Sequence, residues 1–222
     1  MLFIQIRLDE IIFRALEQQK GLTMSLTLYQ SSVQSFIQTI SAILTCLDKG
    51  RKFCRDNNID RNEFIDARLH PSMLPLHFQI VTLVHFSEGA IDAAEKGVVG
   101  GPDMTLEFDY DGLQTYLASS LERLGALNES EVNALISGEV IFKYEGVILP
   151  FTTEDFFVTY ALPNFYFHAT VAYSILRSSG VPVGIANYIG KVKTTASPNI
   201  ASQFHQYTGA DYLDFLEEIA GL

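Results

Sequence analysis

Between residues 29 and 53 the apolar side chains fall at Tyr29, Val33, Phe36, Ile40, Ile43, Leu44 and Leu47. This alternation of three and four predicts one long helix with a single buried stripe. Asp56-Asn57-Asn58 ends it. A second long helix is predicted over 74–96, with Pro75 in its first turn. Its stripe, Leu76, Ile80, Val81, Leu83, Val84, Ile91 and Ala94, is wide enough for burial on more than one side. A third helix follows over 110–127, with Leu113, Tyr116 or Leu117, Leu121 and Leu124 inward.

The period then changes. Residues 140–144 and 147–151 read as two short β runs around Glu145-Gly146, where glycine suits the positive φ of a tight hairpin. Thr152-Thr153-Glu154-Asp155 is a helix-start signal. It opens a fourth helix over 156–179, which Pro163 bends or splits. Between these elements, Asp60 caps a short helix through Asp66, residues 97–102 form a turn, and residues 181–208 read as irregular. The expected fold is all-α: a four-helix bundle with a small β-hairpin between helices three and four. Residues 24–191 make up the bundle domain. Residues 1–23 are read as an N-terminal helical extension. Residues 192–222 form a C-terminal extension with a short helix carrying Tyr212, Phe215, Leu216 and Ile219 on one face.

The fourth helix holds the most informative stretch, Ala161-Leu162-Pro163-Asn164-Phe165-Tyr166-Phe167-His168. Asn164 and His168 are four apart, hence on one helical face a turn apart. In a bundle, facing helices supply inward side chains to a shared site. His77 or Gln79 from the second helix, with Asn164 and His168 from the fourth, is the expected constellation. His85 is rotated away from His77, His70 precedes a proline, and His205 lies near the C-terminus. A zinc or nickel site asks for three His, Cys, Asp or Glu ligands, and the amide of Asn164 is a poor one. At most a degenerate metal site at His77, Asn164 and His168 is expected, and no cofactor. The plainest alternative is a buried His168 hydrogen-bonded inside the bundle. The acidic run Asp103, Glu107, Asp109, Asp111 does not match a calcium loop and reads as a solvated approach to the third helix.

Composition narrows the function classes. Of 222 residues, 48% are hydrophobic and 18% charged, a globular composition, and the formal net charge of −11 disfavours phosphate backbones and anionic membrane surfaces. Neither a nucleic-acid nor a membrane partner is expected, since no stretch reaches the roughly 18 uncharged apolar residues of a span. Cys46 and Cys54 are eight apart in one helix, roughly 12 Å of rise, too far for a disulfide. Two buried thiols fit a reducing, cytoplasmic setting.

These residues carry a resemblance. The segments Met24-Ser25-Leu26-Thr27-Leu28-Tyr29, Ala67-Arg68-Leu69, Met73-Leu74-Pro75-Leu76 with Gln79, Leu162 to His168, and Ala172-Tyr173-Ser174-Ile175-Leu176-Arg177 through Pro182 are similar to an uncharacterised family of bacterial and fungal proteins, a domain of unknown function, placed in the DinB/YfiT-like superfamily. The likeness covers about 24–191. It implies a four-helix bundle whose metal-binding relatives carry one histidine on helix two and an H-x-x-x-H pair on helix four. Here the frame reads Asn164-x-x-x-His168, then Leu176-Arg177 and Gly180, with His77 or Gln79 at the helix-two position. The leading reading is an uncharacterised bundle of this kind with a small-molecule pocket lined by His77, Gln79, Asn164, His168 and Tyr173, and a homodimer is expected. One alternative is an enzyme on a small organic substrate, akin to the superfamily's thiol-dependent transferases and isomerases or to secondary-metabolite tailoring, with His168 as acid/base or metal ligand. The other is a structural or oligomer-forming bundle without catalysis, its dimer contact supplied by the terminal helices.

Overall fold

The computed structural model describes residues 26–192. The two expected terminal extensions, His205 and the dimer contact assigned to the terminal helices lie outside the described residues.

The chain opens with α1 (Leu28–Ser31), capped by Thr27, and α2 (Val33–Asn57). Ser32 separates them, its hydroxyl donating to the Leu28 carbonyl at 2.6 Å. Asn58 ends α2 in the left-handed conformation, φ 56°, one of the few residues that tolerates it. Asp60 caps a 3-10 turn, Arg61–Phe64, through the Asn62 N–H.

Next come α3 (Leu76–His85) and α4 (Glu88–Lys96), where one continuous helix is expected. The break has a local cause: at Ser87 the backbone leaves helical geometry (φ −110°, ψ −87°) while its hydroxyl donates to the Leu83 carbonyl. Serine competes in this way with the helical ladder. The helices α5 (Tyr110–Gly125) and α6 (Glu129–Asn133) follow, capped by Asp109 and Asn128. Asp109 thus takes the helix-approach role expected of the acidic run.

Strand β1 (Val98–Val99) pairs parallel with β2 (Glu139–Tyr144), which pairs antiparallel with β3 (Val147–Thr152). Glu145 (φ 46°) and Gly146 (φ 84°) form the expected two-residue turn. The edge strand β3 carries Pro150, which offers no N–H to a further strand. A single turn, α7 (Thr153–Asp155), leads into a π-helical segment, Phe156–Ala161, then α8 (Leu162–Ser178) and α9 (Ile185–Ile189). Helix α9 falls where the sequence reads as irregular.

The core lies where α2 meets α5 and α8, and α3 meets the same two. Val33, Phe36, Ile40, Leu76, Ile80, Leu113, Leu117, Phe165 and Leu176 are wholly buried there. The all-helical bundle stands. The expectation of four helices with a hairpin between the third and fourth is corrected. Among the described residues, five helices have nine or more residues. The hairpin lies between the fourth and fifth of these, as part of a three-stranded sheet. The added parallel strand comes from the Gly-rich turn, where only two residues pair and no alternation shows.

Candidate functional site

Helix α3 is the spine of the site because its polar residues leave it in different directions. Gln79 is buried and reaches α8. Its Nε2 donates to the Leu74 carbonyl at 2.8 Å, and its Oε1 meets His168 Nδ1 at 2.7 Å. The first bond fixes the second. A carbonyl only accepts, so the amide nitrogen faces Leu74 and the amide oxygen faces His168. The proton of that bond therefore sits on Nδ1, and the neutral imidazole carries its lone pair on Nε2.

The ring of His168 is held by three phenylalanines. Phe86 stacks on it with centroids 6.0 Å apart, and Phe78 and Phe167 meet it edge-on at 5.7 and 5.2 Å. Phe86 is the residue at which α3 ends, so the α3–α4 break places this stacking partner. Burial pushes the imidazole down to about 4, and the neighbouring His85 pushes the same way. His168 is neutral at physiological pH.

Asn164 does not join this pair. Its Nδ2 donates to the Tyr160 carbonyl at 2.7 Å. The reason is the helix start. In the π segment Leu162 N–H reaches back to the Phe157 carbonyl, and Pro163 supplies no N–H at the junction with α8. The Asn164 side chain restores a donor there.

His77 also turns elsewhere. Its Nε2 accepts from the Phe108 N–H at 3.1 Å, and its ring stacks on Phe108. It secures the segment before α5, with its basicity lowered by burial. Tyr173 packs on Tyr188 of α9 with centroids 5.5 Å apart. Of the five expected site residues, the structure thus joins Gln79 to His168 and directs His77, Asn164 and Tyr173 to other partners.

A metal does not fit this donor set. Along this face only His168 offers an imidazole nitrogen, Nε2, and Gln79 and Asn164 add carboxamides, short of the three His, Cys, Asp or Glu ligands that zinc or nickel takes. No group of three His, Cys, Asp or Glu side chains among the described residues is placed to hold an ion.

The sequence reading passes over a second polar group. Val81, Val84, His85, Glu88 and Gly89 face Asp103, Leu106, Tyr116 and Arg123 across a cleft of about 190 Å³. A smaller hollow of about 130 Å³ adjoins it, sharing Val81, Asp103 and Leu106 and reaching Leu74, Phe78 and Met104. The Arg123 guanidinium makes a bidentate pair with Glu88. Burial lowers His85 basicity, opposed by its hydrogen bond to the Gly100 backbone. The helical spacing of His77, Val81, Val84 and Glu88 was the available signal for this face. Nothing in sequence pairs Glu88 with Arg123.

The family description for DUF1993, a domain of unknown function, matches residues 28–189. A crystal structure of a DinB family member protein from Shewanella denitrificans superposes with a TM-score of 0.65 at 25% identity, covering 77% of this chain and 96% of that one. No curated protein matches the chain. No described helix is long and apolar enough to cross a membrane.

Proposed function

We propose, from the premise that this chain belongs to the DUF1993 family, that it is a metal-independent small-molecule-binding bundle whose polar centre is the Gln79–His168 pair between α3 and α8. One observation carries the reading: Nδ1 of His168 is committed to Gln79, while Nε2 has no hydrogen-bond partner among the described residues. A fixed acceptor inside an aromatic frame suits a ligand with one N–H or O–H donor and an apolar body.

The low basicity of His168 favours binding over the acid/base reading. A general base works best with a pKa near the operating pH, and an imidazole at about 4 is a weak one. Asn164 serves the backbone in this account and the ligand only indirectly.

The test is a fragment screen on the full chain read at His168 by imidazole NMR. Hydrogen-bond-donating aromatic fragments are expected to shift Nε2 and leave the Nδ1–H resonance in place, and in folded His168→Phe the same fragments should no longer bind, read by ligand-observed saturation transfer. Fragment binding undiminished in folded His168→Phe by that readout, or an imidazole protonated on Nε2 at pH 7, would overturn the reading.

A further inference from the structure

We propose that the cleft between α3, α4 and α5 binds a small primary ammonium compound with an apolar body, its charged end at Asp103, His85 and Tyr116 and its body along Val81 and Leu106. This site is separate from His168 and does not depend on the reading above.

The argument rests on which polar groups are already used. Among the described residues the cleft is lined by one cationic side chain, Arg123, and its charge is offset by Glu88 in a bidentate pair. His85 lines the cleft, and burial lowers its basicity. Asp103 accepts from the Thr105 N–H and hydroxyl at 2.9 and 2.7 Å, both on Oδ1, leaving Oδ2. Those bonds hold its carboxyl below the usual range, so it stays ionised. Burial raises the Tyr116 pKa, with Glu88 and Asp103 acting the same way and Arg123 opposing, so its phenol stays protonated. Arg123 and Glu88 offset each other's charge, and the exposed Asp103 makes no ion pair among the described residues, so the cleft is left with one net negative charge. An ammonium group brings three donors and the missing charge.

The rest of the ligand follows from the walls. Val81, Val84 and Leu106 are apolar, and the adjoining hollow continues past Asp103 to Phe78 and Met104. A cleft of about 190 Å³ is small beside the roughly 300–1,000 Å³ of drug-sized pockets, which points to a ligand on the order of ten heavy atoms. Asp103 lines both hollows, so a cation held there directs its body into either. A carboxylate or phosphate ligand would be repelled by Asp103 and by Glu88, whose charge already offsets that of Arg123.

The probe is 2-phenylethylamine, titrated into the full-length protein and followed at the methyl resonances of Val81, Val84 and Leu106. The uncharged 2-phenylethanol and the anionic phenylacetate serve as isosteric controls. A saturable shift in the millimolar range is expected for the amine, weaker binding for the alcohol and none for the acid. Asp103→Asn keeps the turn acceptor and should weaken the amine by about tenfold. Gly89 lies in α4, where an added Cβ meets the Val84 carbonyl and His85 Nδ1 only at 3.7 and 3.8 Å. The backbone thus accepts a side chain here, and Gly89→Leu, which projects one from a lining position of the cleft, should abolish binding in a folded protein. His168→Phe should leave amine binding intact. Three outcomes would overturn the proposal: no saturable shift with the amine, equal response to phenylacetate, or undiminished binding by folded Gly89→Leu or Asp103→Asn.

Discussion

His168 Nδ1 and Gln79 Oε1 lie 2.7 Å apart across α3 and α8, and the far end of the same amide donates to the Leu74 carbonyl. The tautomer of the imidazole is thus decided by a backbone carbonyl five residues upstream of Gln79. Replacing Gln79 with Glu exchanges that donor for a carboxylate beside the ring. The imidazolium gains a charged acceptor, so the His168 pKa should rise from about 4 toward or beyond its ordinary value. An NMR titration of the ring proton reads the change.

Stability should fall on mild acidification, with His168 contributing to the slope. The unfolded imidazole titrates near 6.5 and the folded one near 4, so the unfolded chain takes up the proton first. The contribution is complete above about pH 6.5 and is lost as pH drops toward 4. A shift of this size is worth at most about 3 kcal/mol, less with any water at the ring edge. His77 and His85, both lowered by burial, act with the same sign. Urea unfolding between pH 7.5 and 4 should show the slope, and His168→Asn should flatten it.

Asn164→Ala should cost about 1 kcal/mol, the typical worth of one hydrogen bond, by leaving Tyr160 without its side-chain donor. Asn164→His should gain no zinc or nickel, because His77 is held by Phe108 and Gln79 contributes only an amide. Denaturant melts and metal analysis of the untagged protein check the two outcomes.

Gly50 marks a close approach in the core. A Cβ there would overlap the Tyr110 hydroxyl, which donates to the Leu47 carbonyl. Gly50→Ala must displace a buried tyrosine and should destabilise by roughly 1–3 kcal/mol, seen as a lower melting temperature.

The long helices were legible because their apolar residues keep a 3.6 period: Val33, Phe36, Ile40, Ile43 and Leu47 lie on one face and are all buried. The hairpin was legible from Gly146, whose residue type suits its left-handed backbone, although Glu145 beside it adopts a positive φ with no such signal. The break at Ser87 was not, since no proline or glycine marks the joint and it is a serine hydroxyl, with Phe86 packing on His168 and Tyr160, that accompanies it. In the candidate site, spacing put Asn164 and His168 on one face. It could not show that Pro163 and the π segment would claim the asparagine for the backbone. Pairings between residues far apart in sequence, such as Glu88 with Arg123, have no one-dimensional signature at all.

The π segment at Phe156–Ala161 sets the phase of everything after it. Each residue of an α-helix advances the side-chain direction by about 100°, and a wide turn absorbs one extra residue without passing that rotation on. Phe156 and Phe157 at its start and Phe165 and His168 after it all face the core. A chain one residue shorter in this segment would have to choose. It could keep the two phenylalanines seated and swing His168 away from Gln79, or keep the imidazole and turn the aromatic pair toward water. The inserted residue is therefore a gear tooth, and the meeting of α8 with Gln79 depends on its count.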